Sequence, residues 1–102
     1  MKLHKHKYRA QRTEVDGIKF GSNKEANYYK ELLLKVNAGF VVFFLRQTPF
    51  HLPGGVVYRC DFQEFHSDGT VHFVEIKGFP TPEWKIKKKL VESLYPIKIE
   101  VK

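Results

Sequence analysis

Two β-prone runs meet at the turn Ser67-Asp68-Gly69, and no other segment constrains the fold as much. The first run is Val56 to Phe65 and the second is Thr70 to Lys77. A three-residue hairpin loop needs a left-handed residue at its last position, which Gly69 supplies at no steric cost. That loop pairs His66 with Thr70. Counting back along both strands, Asp61 lands across from Glu75, with Cβ atoms about 4.5–5.5 Å apart. Side chains alternate along a strand, so Lys77 shares the face of Glu75 and Asp61. Cys60, Phe62, Val74 and Ile76 share the other face, which is apolar and reads as core.

The rest of the chain arranges itself around this hairpin. Asp16-Gly17 lies between Thr13-Glu14-Val15 and Ile18-Lys19-Phe20, the pattern of a tight hairpin. Ser22 to Glu25 has the S-x-x-E form of a capping box and opens a helix to about Ala38. Ala26, Tyr29, Leu33 and Val36 recur at helical spacing, and Gly39 stops the helix. Phe40 to Gln47 reads as a strand buried on both faces. Pro49 interrupts it, with Phe50 to Leu52 continuing to the Pro53-Gly54-Gly55 turn. Thr81 caps a second helix, with Pro82 in its first position, and Pro96 ends it. Ile86, Leu90 and Leu94 fall on one face of that helix, with Val91 beside them. Lys85, Lys88 and Lys89 fall opposite. Trp84 reads as core. Ile97 to Val101 alternates as a last strand. The order is ββ-α-βββ-α-β, an α+β domain with one mixed sheet flanked by two helices.

At 102 residues the chain is one domain with a modest core, residues 13–102, preceded by a polar basic arm, residues 1–12. The arm holds Lys5, Lys7, Arg9 and Arg12, suited to gripping a phosphate backbone. A net charge of +7 points to a polyanionic partner, with nucleic acid as the default. One cysteine, Cys60, excludes a disulfide framework or cysteine zinc site within a monomer and reads as a small core residue. No apolar run approaches the ~20 residues of a membrane span, and the basic N-terminus lacks the apolar segment of a signal peptide. A cytoplasmic location is expected.

Asp61 and Glu75 facing each other repel unless something compensates. A Mg²⁺ ion would, since it takes oxygen ligands and keeps waters for a substrate phosphate. Lys77 would then orient or deprotonate an attacking water, or stabilise charge on the phosphate. The plainer alternative is a charged decoration on a half-solvated strand.

Asp61 followed by Glu75-Ile76-Lys77 resembles the PD-(D/E)XK nuclease signature, with its proline replaced. The stretches Glu14 to Phe20, Ser22 to Ala26, Tyr58 to Phe62, Val74 to Gly78 and Lys87 to Leu90 resemble a family of small phage-encoded nucleases, over nearly the whole chain. That family is similar to archaeal-type Holliday junction resolvases. The resemblance implies a restriction-endonuclease-like fold, a homodimer, and Mg²⁺ as cofactor with Mn²⁺ as a substitute. It implies that Asp61, Glu75 and the main-chain carbonyl of Ile76 bind the metal, and that Lys77 serves the attacking water. Glu25 would be the first-helix carboxylate that completes the metal shell, although it also fits the capping box as a partner of Ser22. A phage protein would work in the cytoplasm of an infected bacterium. Two features depart from the resolvases. Lys24 would replace the basic residue that precedes their helix glutamate, and nothing replaces their serine loop.

The expected substrate is DNA, four-way or otherwise branched, because a module this small has little surface for reading a long sequence. Lys24, Gln47, Lys85, Lys88 and Lys89, with the arm, are the expected DNA contacts. The apolar run Phe40 to Leu45 is a dimer surface only if one face is left uncovered. The alternatives are a phage nuclease on other branched or single-stranded DNA, and a catalytically silent nucleic-acid-binding domain.

Overall fold

The structure is a computed structural model that describes residues 13–76 and 79–102. Lys5, Lys7, Arg9, Arg12 and the rest of the N-terminal arm lie outside the described residues, as does Lys77. The elements are β1 (Thr13–Val15), β2 (Ile18–Phe20), α1 (Asn23–Asn37), β3 (Val41–Leu52), β4 (Val56–His66), β5 (Val71–Glu75), α2 (Pro82–Leu94) and β6 (Ile99–Val101). The fold is α+β in the expected order. Strands β3-β4-β5-β6 form one mixed sheet, antiparallel except for the β5–β6 pair, while β1 and β2 form a separate two-stranded sheet. Among the described residues, no helix is long and apolar enough to cross a membrane.

Local chemistry explains the boundaries. Asp16 and Gly17 both take positive φ, as a tight hairpin turn requires. Ser22 accepts the Glu25 amide at 3.1 Å and opens α1. Gly39 closes it at φ 86, with Gly39 N–H donating to Val36 and Phe40 N–H to Lys35. These are the two bonds of a Schellman closure. Thr81 accepts the Trp84 amide at 3.2 Å and opens α2 behind Pro82. At the central hairpin, His66 N–H donates to the Thr70 carbonyl and Gly69 sits at φ 90. The register runs Phe65↔Val71 to Phe62↔Val74, as the loop length dictates.

The core has two parts. Phe20, Leu32, Val41, Phe62 and Val74 pack under α1. Phe50, Tyr58, Cys60, Trp84, Val91 and Ile99 pack under α2. Phe62 and Cys60 belong to one alternation of β4 yet join different clusters. The long β3–β4 hairpin therefore coils enough for the same side of the strand to serve first one helix and then the other. On β3, Gln47 marks the changeover with a left-handed φ of 55. A buried polar tie reinforces the α1 side. Glu64 accepts from the Tyr28 hydroxyl at 2.5 Å and lies 2.8 Å from His66 Nε2.

Three expectations are corrected. Pro49 does not break β3, which runs unbroken from Val41 to Leu52; β3 is an edge strand, where a missing N–H is tolerated. Nor is β3 buried on both faces, since Val42, Phe43 and Leu45 are about half exposed or more, and neither helix covers that side. On α2 the inward face is Trp84 and Val91, whereas Ile86, Leu90 and Leu94 are exposed. Trp84 and Val91 lie seven residues apart, two helical turns, and the stripe Ile86, Leu90, Leu94 points well away from that line.

Candidate functional site

Asp61 lies on β4 at the seam between the two clusters, flanked by Cys60 under α2 and Phe62 under α1. Its carboxylate is half-buried and fixed by two donors. The Ile76 amide donates to Oδ2 at 2.9 Å, and the Gln47 side-chain amide donates to Oδ1 at 3.2 Å. The β4–β5 ladder ends at Phe62↔Val74, and beyond it Asp61 takes the backbone donor that β5 offers. The left-handed turn of Gln47 aims its side chain at Asp61 from β3.

Glu25 meets this group from the first turn of α1. Its Oε2 lies 3.8 Å from an Arg46 guanidinium nitrogen, and its own amide is the one Ser22 caps. Its carboxyl is raised above its ordinary range. Burial comes first and the charge of Asp61 second, opposed by Arg46 and a hydrogen bond from the Gly21 backbone. Glu25 is thus both a helix-terminus residue and a neighbour of Asp61 in charge space. The cap engages the Glu25 amide, whereas the side chain lies toward Arg46 and Asp61.

Glu75 is buried, 5% exposed, and is not on an open face as alternation alone would put it. Its Oε1 accepts from the Tyr58 hydroxyl at 2.6 Å. It lines a groove of about 310 Å³ with Tyr58, Arg59, Trp84 and Lys87. Tyr58 is held in its protonated form by burial, by the hydrogen bond to Glu75 and by the charge of that carboxylate. Cys60 feels the same neighbours: burial first and Glu75 second push its thiol up to about 12, which leaves it inert as a nucleophile. Its thiol lies 3.4 Å from the Val74 carbonyl.

The structure therefore gathers Asp61, Glu25 and Gln47, with Glu75 on the α2 side of the seam. Among the described residues, no three acidic, His or Cys side chains are grouped so that they could hold a metal ion. The donor chemistry fits a hard cation that keeps most of its waters. Such an ion binds through one or two carboxylates, and added positive charge would offset the Asp61 charge that, after burial, helps raise Glu25. Asp61 and Glu75 are the residues that would hold it. Ile76 meets Asp61 through its amide.

The expected DNA contacts are dispersed. Lys24, Lys85 and Lys89 are exposed. Lys88 is half-buried and ion-paired to Glu92 at 3.1 Å, and Glu92 also accepts the Ile99 amide. Glu92 thus joins α2 to β6, and Lys88 is taken up by its same-helix pair with Glu92. Two residues of the site escaped the sequence reading. Arg46 lies over the Phe20 ring, 4.6 Å from its centroid, and its buried Nε has no partner among the described residues. A lone arginine in an otherwise apolar strand was the available signal. Tyr58 carried no signal beyond its core alternation.

These features define a small basic α+β domain with a carboxylate cluster at the seam of a four-stranded sheet. The chain belongs to the family described as Protein of unknown function (DUF1064), whose model matches residues 5–101. No curated protein and no solved structure matches it.

Proposed function

We propose that the protein is a divalent-metal-dependent, structure-selective DNA endonuclease, and most specifically a Holliday junction resolvase that makes paired symmetric nicks. The observation that carries this reading is the half-buried Asp61 carboxylate, held by the Gln47 and Ile76 amides next to the Glu25–Arg46 pair, in a domain whose net charge is +7. A pure phosphate binder gains nothing from two mutually repelling carboxylates beside its arginine. A metal-dependent phosphodiester hydrolase would use them around its ion.

When bound, a divalent cation would supply charge to the phosphate and lower the pKa of a water. Asp61 and Glu75 would hold it, with the Ile76 carbonyl as the main-chain donor that the resemblance implies. Gln47 and the Ile76 amide keep Asp61 in one orientation. Glu25 adds negative charge next to Asp61. Lys77 would orient or deprotonate the attacking water. Arg46, with its buried Nε and its guanidinium only 3.8 Å from Glu25, is suited to a phosphate oxygen. Lys24, Lys85, Lys89 and the N-terminal arm would contact the DNA backbone without reading sequence.

A twofold dimer would present two such sites to the two strands of a junction. The uncovered side of the sheet suits a second copy. Val42, Phe43 and Leu45 are exposed there, and Phe43 stacks on Phe65 with centroids 4.3 Å apart. The second reading, a silent nucleic-acid-binding domain, is favoured by one observation: both oxygens of Asp61 already accept protein donors.

The test is cleavage of a labelled four-way junction, a matched duplex and a single strand, with Mg²⁺ or EDTA. Paired nicks in the junction alone, lost in Asp61→Ala, are expected. Cutting of all three substrates would keep the nuclease and remove the junction. Tight, Mg²⁺-indifferent binding without cutting would leave the silent domain.

A further inference from the structure

We propose that Tyr58 is a positioning residue for Glu75: its hydroxyl fixes the carboxylate in the orientation from which Glu75 holds a divalent cation. The inference rests on the metal-dependent reading above.

Three observations carry it. The first is geometric. Tyr58 donates to Glu75 Oε1 at 2.6 Å, within the short range of a charge-assisted O–H···O⁻ bond. The second is the rigidity of the donor. Tyr58 is 5% exposed and packed with Phe50, Cys60 and Trp84, on a central strand of the sheet. A ring held this way has one place to put its oxygen. The third is the cost of the arrangement. A buried tyrosine hydroxyl usually needs only a backbone carbonyl. Here its partner is an ionisable group that is itself 5% exposed, and burying such a group is costly unless hydrogen bonds of this kind hold it. Glu75 lines a groove of about 310 Å³ along this pair, together with Glu83, Arg59 and Lys87. A carboxylate has about four lone-pair positions, and the Tyr58 hydroxyl takes one of them.

The bland alternative is that Tyr58 and Glu75 simply tie the core together. The two roles separate in a metal-binding measurement. Tyr58→Phe keeps the ring and its packing and removes only the donor. Mn²⁺ binding to the full chain, read by calorimetry alongside the melting temperature, is expected to weaken about tenfold or more, the usual effect of losing a group that orients a ligand. In a Glu75→Gln background the same change is expected to do nothing further to Mn²⁺ affinity. If Tyr58→Phe does not fold, Tyr58→Met fills much of the same apolar space without a donor, and it is expected to bind Mn²⁺ more weakly than the wild type.

Unchanged Mn²⁺ affinity in a folded Tyr58 variant, even with a lowered melting temperature, would overturn the positioning role and leave the nuclease reading standing. An equal loss of affinity from Tyr58→Phe in the wild-type and Glu75→Gln backgrounds would also overturn it, because Tyr58 would then not act through Glu75. A wild-type chain that neither binds Mn²⁺ nor cuts DNA would remove both.

Discussion

At the residue scale, Asp61 has two jobs, and they can be separated by substitution. Its carboxylate accepts the Ile76 amide, a structural bond, and it is also the candidate metal ligand. Asp61→Ala removes both, and an unsatisfied amide costs about 1–3 kcal/mol. Asp61→Asn keeps one accepting oxygen and loses the charge. Asn is therefore expected to leave the melting temperature close to wild type, while cleavage falls at least about a hundredfold, the scale of removing one electrostatic contact with the transition state. A cleavage rate in Asp61→Asn within a few-fold of wild type would remove Asp61 from the chemistry. Glu25 makes a prediction with a sign. Its folded-state pKa is raised, so the folded chain holds a proton that the unfolded chain has released. Stability must then fall as pH rises from the unfolded value of about 4.5 through the raised one. Glu25→Gln removes the charge, so its melting temperature should exceed wild type at pH 8, and the gain should vanish near pH 4. Thermal melts at the two pH values check this. An equal change at both would mean that the side chain acts through packing or its cap, not through charge.

At the element scale, α2 is the sharpest test of the fold. The inward face is Trp84 and Val91, so Val91→Ala should cost about 2 kcal/mol, from two buried carbons and the cavity they leave. Ile86→Ala, at a position 61% exposed, should stay within about 0.5 kcal/mol. Urea titrations of the two variants decide it, and the reverse ranking would mean that the helix is docked on its other face. This helix also shows what the sequence could and could not convey. Local rules suffice for Ser22, Gly39, Gly69 and Thr81, because caps and turns are made by residues a few positions apart. The hairpin register as far as Phe62↔Val74 followed from the Ser67-Asp68-Gly69 loop for the same reason, but the ladder stops before Asp61 and Glu75. The docked face of α2 did not follow, because two stripes on the helix were apolar enough to be core and only the sheet selects between them. The Tyr58–Glu75 bond was hidden by a longer-range cause: alternation puts the two on opposite faces, and the coiling of a hairpin with strands of 12 and 11 residues brings them together. Arg46 was overlooked inside an apolar run, where its contacts with Phe20 and Glu25 depend on α1 and β2 arriving at β3.

At the scale of the whole molecule, the side of the sheet that no described element covers is the feature left to explain. Phe43 and Leu45 are each 48% exposed and Val42 is 60% exposed, beside Phe65 on the next strand. Neither helix reaches this side: α1 and α2 each pack over the cluster that holds their own buried residues. Water-facing phenylalanine and leucine on a sheet are an aggregation hazard unless a partner covers them. A second copy related by a twofold axis would do so with one patch on each protomer. A stable interface needs about 800 Å² from each partner, within reach of a sheet face of this length. The expected mass in solution is therefore twice 12.0 kDa by light scattering. Replacing Phe43 and Leu45 together by lysine should give a folded monomer, since both side chains are half in water already. If the paired-nick reading is right, that monomer should still cut a junction but nick its two strands independently, so that nicked intermediate accumulates. A variant that stays dimeric would place the interface elsewhere, and a wild-type monomer that makes paired nicks would detach the chemistry from any twofold assembly.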